Sequence, residues 1–358
     1  MKQYHLWLIL AILILTACAP AEPLTLVPLP TVTPTNEIDA RVAEWITVYF
    51  TDPEGPGAKK YRGGPDKALA AAIDEARFSV EAAFYQLDLW SMRNALIAAH
   101  NRGVSVRLVT ESDNFDTAEV TELIAAGITV ISDNRGSLMH NKFVVIDSHE
   151  VWTGSMNLTT NGAYKNDNNL IRIRSSRLAE NYLVEFEEMF TNELFGDYIV
   201  TNTPYSTMSV ENVPIETYFS PDDGTAAHIV ELIREAEESI CFLAFSFTSD
   251  EIASALIEQA QQGVTITGVF EESQYKSNQG TEFDHLLDAG LDVRLDDNPN
   301  NMHHKLIIID SEVVVTGSYN FSRSAEESND ENTLVIHNTS VAGQYLEEFE
   351  RVFAMAQP

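Results

Sequence analysis

The sequence predicts an α/β protein built from two similar halves, and three observations carry that expectation. Strand-like and helix-like stretches alternate along the chain, a pattern that makes sheets covered by helices. A long stretch recurs later in the chain at a constant shift. Each copy carries the same spaced set of ionisable residues, His-x-Lys-x-x-x-x-Asp.

The chain of 358 residues, 44% of them hydrophobic, is long enough for two domains or one duplicated domain with a substantial core. Fifty-four acidic residues against 22 basic ones give a net charge of −32. Such a surface repels nucleic acid and anionic lipid at long range, although a local basic pocket remains compatible with it.

Lys2 is followed by an apolar run from Leu6 to Leu15, shorter than a bilayer span and suited to a signal-peptide core. The run ends Leu15-Thr16-Ala17-Cys18, which resembles the lipobox of bacterial lipoproteins. Residues 1–18 are therefore expected to be a lipoprotein signal, with Cys18 as the lipidated residue. The alternative is a secretory signal with an incidental cysteine. Residues 19–40 hold prolines at 20, 23, 28, 30 and 34, which remove backbone donors and favour an extended tether. The expected location is extracytoplasmic and membrane-anchored. Cys241 lies in an apolar run and is expected to be a small core residue, so no disulfide is implied.

His140 and His303 lie 163 residues apart, and that shift aligns the chain without a gap from Leu123 to Phe190. Gly154-Ser155-Met156-Asn157 meets Gly317-Ser318-Tyr319-Asn320, and Asn166-Asp167-Asn168-Asn169 meets Asn329-Asp330-Glu331-Asn332. Upstream, helices near 91–101 and 251–261 stop at Gly103 and Gly263, as helix ends favour. The halves are expected at 41–200 and 217–358, joined by a polar, proline-flanked linker at 201–216.

The motifs read His140-Asn141-Lys142-Phe143-Val144-Val145-Ile146-Asp147 and His303-His304-Lys305-Leu306-Ile307-Ile308-Ile309-Asp310. Side chains on a strand repeat every two residues, so each His and Lys share a face if the strand reaches back to the histidine. Asp147 and Asp310 have the opposite parity and should not share the reaction centre in the same way. Bringing the two strand ends together gathers two imidazoles, two ammonium groups and two amides. That set suits a phosphodiester: cationic and amide donors hold the non-bridging oxygens, one histidine attacks phosphorus, and the other protonates the leaving oxygen. The lysines already supply positive charge, so no metal or other cofactor is expected. His303 and His304 are adjacent and should point to opposite faces, which argues against a metal pair.

These motifs, their spacing and the duplication resemble the phospholipase D superfamily over nearly the whole mature chain. The resemblance implies two α-β-α halves with mixed β-sheets, related by pseudo-twofold symmetry. It implies a phosphohistidine mechanism with His140 and His303 as nucleophile and acid/base, the nucleophile being His140. It implies phosphate binding by Lys142, Lys305, Asn157 and Asn320, with Ser155 and Ser318 of the same segments counted beside them. Asp147 and Asp310 are counted with the site as motif members of mainly structural role. Glu331 corresponds to a carboxylate that orients a catalytic histidine, but the first half has Asn168 at that position, so the two histidines should differ in basicity. The sequence leaves open which histidine Glu331 serves.

The expected function is hydrolysis of phospholipid headgroup phosphodiesters by a monomer held to a membrane through its N-terminal lipid. The alternative is an endonuclease of the same superfamily cutting DNA or RNA.

Overall fold

The computed structural model describes residues 45–196 and 201–357. The signal, lipobox Cys18 and tether expected over 1–40 lie outside the described residues.

In the first half, β1 (Ile46–Phe50) leads to α1 (Pro65–Glu75), with proline in its first turn where no amide donor is lost. Then follow β2 (Ser79–Phe84), α2 (Trp90–Asn101), β3 (Ser105–Thr110), α3 (Ala118–Ala125) and β4 (Thr129–Ser132). β5 (Lys142–Ile146) and β6 (Glu150–Gly154) form a hairpin, followed by α4 (Thr160–Tyr164), β7 (Asn169–Arg174) and the long α5 (Ser176–Asn192). The sheet order is β1-β7-β6-β5-β2-β3-β4. β2, β3 and β4 run parallel, as helical crossovers require, and the remaining neighbours are antiparallel, so the sheet is mixed.

The second half repeats this plan with β8 (Thr207–Val210), β9 (Val213–Ser220), α6 (Thr225–Arg234), β10 (Ser239–Ala244), α7 (Asp250–Gln262) and β11 (Thr265–Phe270). It continues through α8 (Glu272–Ser277), α9 (Phe283–Asp288), β12 (Asp292–Leu295), β13 (Lys305–Ile309), β14 (Val313–Gly317), α10 (Arg323–Glu327), β15 (Glu331–His337) and α11 (Thr339–Met355). Its sheet order is β12-β11-β10-β13-β14-β15-β9-β8. Much of the linker expected at 201–216 is therefore sheet: β8 and β9 pair as an antiparallel hairpin turned by Glu211 and Asn212, both at positive φ. The second half accordingly starts earlier than 217.

Among the described residues, three apolar clusters form the core. One fills the outer layer of each half, and the third joins the halves. The closing helices α5 and α11 supply much of the joint core. Tyr182 of α5 meets Phe219 of the second half edge-on, with ring centroids 5.1 Å apart. Tyr345 of α11 meets Phe50 of the first half in the same way, also at 5.1 Å. Hydrogen bonds cross between halves with the same reciprocity. The His140 amide donates to the Asp330 carbonyl at 3.0 Å, and the His303 amide donates to the Asp167 carbonyl at 2.9 Å. Paired contacts at equivalent positions are what pseudo-twofold symmetry produces.

Candidate active site

β5 and β13 are central strands, buried along their whole length because Val and Ile pack on both faces. Their first residues are Lys142 and Lys305, so each histidine lies just before a rigid strand. The residue ahead of each histidine is fixed by a carboxylate at the end of a parallel strand. Glu111 accepts from the Met139 amide and Glu271 from the Met302 amide, both at 2.6 Å. The residues that follow β3 and β11 thus brace the two histidine segments.

Both histidines and both lysines are buried. His140 Nδ1 lies 2.7 Å from Glu331 Oε2, so the contact crosses from the first half to the second. His303 Nδ1 lies 3.0 Å from Asn168 Oδ1 and 3.1 Å from the Ser155 carbonyl, crossing the other way. The substitution seen in the alignment thus becomes a chemical difference: one imidazole faces a carboxyl group and the other faces neutral acceptors. Asp330 and Asp167 do not replace them, since Asp330 pairs with Arg135, and Asp167 with Arg351 at 2.5 Å.

Each ammonium donates to the carbonyl of its own histidine, Lys142 at 2.7 Å and Lys305 at 2.9 Å, which leaves further donors. An aromatic ring lies beside each pair. Tyr85 is 5.1 Å from the His140 ring and 5.4 Å from the Lys142 ammonium, and Phe245 is 4.4 Å and 4.5 Å from His303 and Lys305. Burial lowers His140 well below the ordinary histidine range, and Lys142 and then Lys305 lower it further. Burial, Lys305, Lys142 and His140 act likewise on His303. Lys142 is lowered by burial to about 7, and Lys305 is lowered strongly by burial and by Lys142. Burial raises Glu331 to about 8, against the opposing pull of Lys142. The four motif side chains influence one another and form one composite site, in which burial disfavours charge on both histidines and both lysines.

Asn157 and Asn320 follow β6 and β14 on the Gly-Ser-x-Asn segments. Gly154 has φ +143°, and a Cβ there would come within 2.5 Å of the Asn169 carbonyl, so only glycine permits this turn. The Asn157 and Asn320 Oδ1 atoms are buried without a hydrogen-bond partner among the described residues.

Two expectations need correction. Ser155 and Ser318 do not offer their hydroxyls to a ligand. Ser155 Oγ donates to Asn168 at 2.8 Å and accepts from the Asn169 amide, while Ser318 Oγ accepts from the Asn332 amide at 2.9 Å. They lock the two asparagine-rich segments in place. Asp147 and Asp310 sit at the far ends of β5 and β13, roughly 20 Å from their histidines at strand spacing. Asp147 accepts from the amides of Arg77, Phe78 and Ser79, the shortest at 2.7 Å, and Asp310 accepts from those of Glu237, Glu238 and Ser239 at 2.8 Å. Both clamp the entry to a neighbouring strand and touch no part of the site.

Sequence reasoning overlooked a further pair. Asn141 donates to Glu185 at 2.9 Å, and His304 meets Glu348 at 2.9 Å. Glu185 and Glu348 recur at the 163-residue shift, which was the available signal.

A duplicated α/β molecule with one His–Lys pair contributed by each half defines the class as a two-motif phosphodiesterase. The sequence model of the family described as "Cardiolipin synthase, PLD-like domain" matches residues 69–190 and 229–353. The chain belongs to this phospholipase D family and is a phospholipase D-like phosphodiesterase. The phospholipase D of Rickettsia prowazekii is 34% identical over 145 residues, 40% of this chain and 70% of the relative. The mitochondrial cardiolipin hydrolase of Homo sapiens is 31% identical over 136 residues, 38% of this chain and 54% of the relative. The phosphatidylserine synthase structure from Haemophilus influenzae Rd KW20 shares the fold at a TM-score of 0.66, with 11% identity and coverage of 89% of this chain and 90% of that one.

Proposed function

We propose that the protein hydrolyses phospholipid headgroup phosphodiesters through a phosphohistidine. The observation that carries the reading is the unequal support of the two histidines. Ionised Glu331 accepts the Nδ1 proton of His140, leaves Nε2 bare and stabilises the positive charge that develops as Nε2 bonds to phosphorus. His303 faces neutral acceptors, and the bound phosphodiester anion offsets the neighbouring lysines and stabilises its imidazolium, which protonates the departing headgroup oxygen. His303 then takes a proton from water, whose oxygen attacks phosphorus and breaks the P–N bond. The ammonium groups of Lys142 and Lys305 and the amides of Asn157 and Asn320 hold the non-bridging oxygens throughout. An arriving phosphodiester anion stabilises the charged lysines that burial alone disfavours.

The phospholipid substrate is supported by the names of the relatives, a phospholipase D and a cardiolipin hydrolase. The proposed setting is outside the cytoplasm, at a membrane reached through lipidated Cys18. Radiolabelled fatty acid should enter the wild-type protein and not a Cys18→Ala variant. The decisive assay incubates purified protein with phospholipid vesicles and, separately, with single- and double-stranded DNA. Headgroup release, lost in His140→Ala, is the expected result. DNA cleavage without headgroup release would make the protein an endonuclease.

A further inference from the structure

The two halves differ most where the first strand passes to the first helix. In the second half, Pro221 to Gly224 suffice to join β9 to α6. In the first half, Thr51 to Gly64 lie between β1 and α1. The longer connection carries Lys59, Lys60, Tyr61 and Arg62, and Lys67 follows on α1. All five are exposed, and none of the four cations makes an ion pair among the described residues. The one acid between them, Asp66, is buried and takes hydrogen bonds from Ser91 at 2.6 Å and Tyr164 at 2.7 Å. The same connection also carries exposed Asp52 and Glu54, but neither pairs with these cations among the described residues, so basic charge gathers at Lys59, Lys60, Arg62 and Lys67 in a chain with 22 basic residues against 54 acidic ones.

Aromatic rings share the patch. Tyr61 is 53% exposed although φ is +51°, a conformation unfavourable for a bulky residue. Its ring rests edge-on against Tyr164 at 5.7 Å. Trp90 opens α2 next to Ser91 and is 69% exposed, whereas the second half has Asp250 at the start of α7. Exposed tyrosine and tryptophan beside lysine and arginine are the combination that sits at a membrane–water interface. The patch is also close to the site. Tyr164 ends α4, whose Gly162 carbonyl accepts from the Asn168 side-chain Nδ2 at 2.9 Å, and the Asn168 Oδ1 contacts His303.

We propose that Lys59, Lys60, Tyr61, Arg62, Lys67 and Trp90 form a docking surface that seats the first-half rim of the site on an anionic phospholipid bilayer. This rests on the phospholipid reading of the site and adds an orientation to it. The acidic remainder of the molecule is repelled by such a bilayer, so the basic patch turns toward it. A nucleic-acid groove would need cations on both rims, yet the corresponding second-half positions hold Asp222, Asp223, Asp250 and Glu251.

The test uses the full chain in a His140→Ala background for binding and the active enzyme for turnover. Vesicles of phosphatidylcholine alone are compared with vesicles that also contain phosphatidylglycerol. The N-terminal segment is common to every variant, so differences report on the patch. Lys59→Glu with Lys60→Glu should weaken partition onto the mixed vesicles by roughly tenfold or more, and high salt should erase the difference. Trp90→Ala should weaken partition on both vesicle types. Turnover of the soluble diester bis(p-nitrophenyl) phosphate should stay at the wild-type rate, which also shows that the variants fold. Unchanged partition, or a parallel fall in soluble turnover, overturns the docking surface. So does single-stranded DNA that displaces the vesicles and loses affinity in the same variants. Hydrolysis of detergent-dispersed phospholipid with patch-independent vesicle binding would sink the docking surface and leave the phospholipid reading standing. Hydrolysis of no phospholipid in either form would sink both.

Discussion

Glu331 Oε2 lies 2.7 Å from His140 Nδ1, so the carboxyl group that supports the first-half histidine comes from the second half. The reciprocal position, Asn168, gives His303 an amide oxygen instead. The proposed division of labour follows, because a carboxylate favours charge on an imidazole and a neutral acceptor does so less.

His140→Ala and His303→Ala should each lower turnover of a phospholipid by about a thousandfold or more. With a p-nitrophenyl leaving group, which needs little protonation, the His303 variant should still give a stoichiometric burst and a trapped phosphoenzyme. The His140 variant should give neither. A burst in His140→Ala alone would reverse the assignment.

The pH dependence follows from the Glu331–His140 pair. Burial raises the Glu331 carboxyl to about 8, while burial and Lys142 keep His140 low. Below that pH the shared proton stays on the carboxyl, which donates to Nδ1 and leaves Nε2 protonated. Above it, ionised Glu331 accepts from Nδ1–H and Nε2 is free to attack. With the bound phosphodiester keeping Lys142 and Lys305 charged, phosphoenzyme formation from the substrate complex should therefore rise with pH through about 8. Glu331→Gln should flatten that rise and slow the step by about 10²–10⁴, as read by rapid-quench kinetics across pH.

Asp147→Asn and Asp310→Asn should act on stability, because each carboxylate ties three backbone amides at a strand entry. Each should cost about 1–3 kcal/mol in urea unfolding, with kcat within about twofold of wild type. A large loss of kcat at unchanged stability would return these aspartates to the reaction centre.

Asp222→Asn should stabilise the protein in a pH-dependent way. Burial, and then neighbouring Asp223, raise the Asp222 carboxyl to about 7, and its Oδ1 has no partner among the described residues. The folded state therefore binds this proton more tightly than the unfolded chain. The resulting stability is present in full below the unfolded pKa and is lost as pH rises through about 7. The variant should gain about 1–3 kcal/mol near pH 8 and nothing near pH 4, as measured by denaturant unfolding at both pH values.

The duplication was legible because Leu123–Phe190 and its repeat keep one register, and a conserved register preserves strand, turn and helix together. Strand parity separated Asp147 from His140 because side-chain direction alternates along a single strand. The β8–β9 hairpin was not legible. Its Glu211-Asn212 turn lacks glycine, and polar residues around Pro214 read as a linker until pairing with β15 makes β9 part of the sheet.

The sequence by itself determined the two halves, the identity of the motif side chains and the imbalance between Glu331 and Asn168. Only the tertiary structure decided that Glu331 serves His140, that the Ser155 and Ser318 hydroxyls turn inward, and that one rim is basic. Periodicity and spacing fix directions within one strand or helix. The contact from His140 to Glu331 spans 191 residues and depends on how two sheets meet across α5 and α11, which no local pattern encodes.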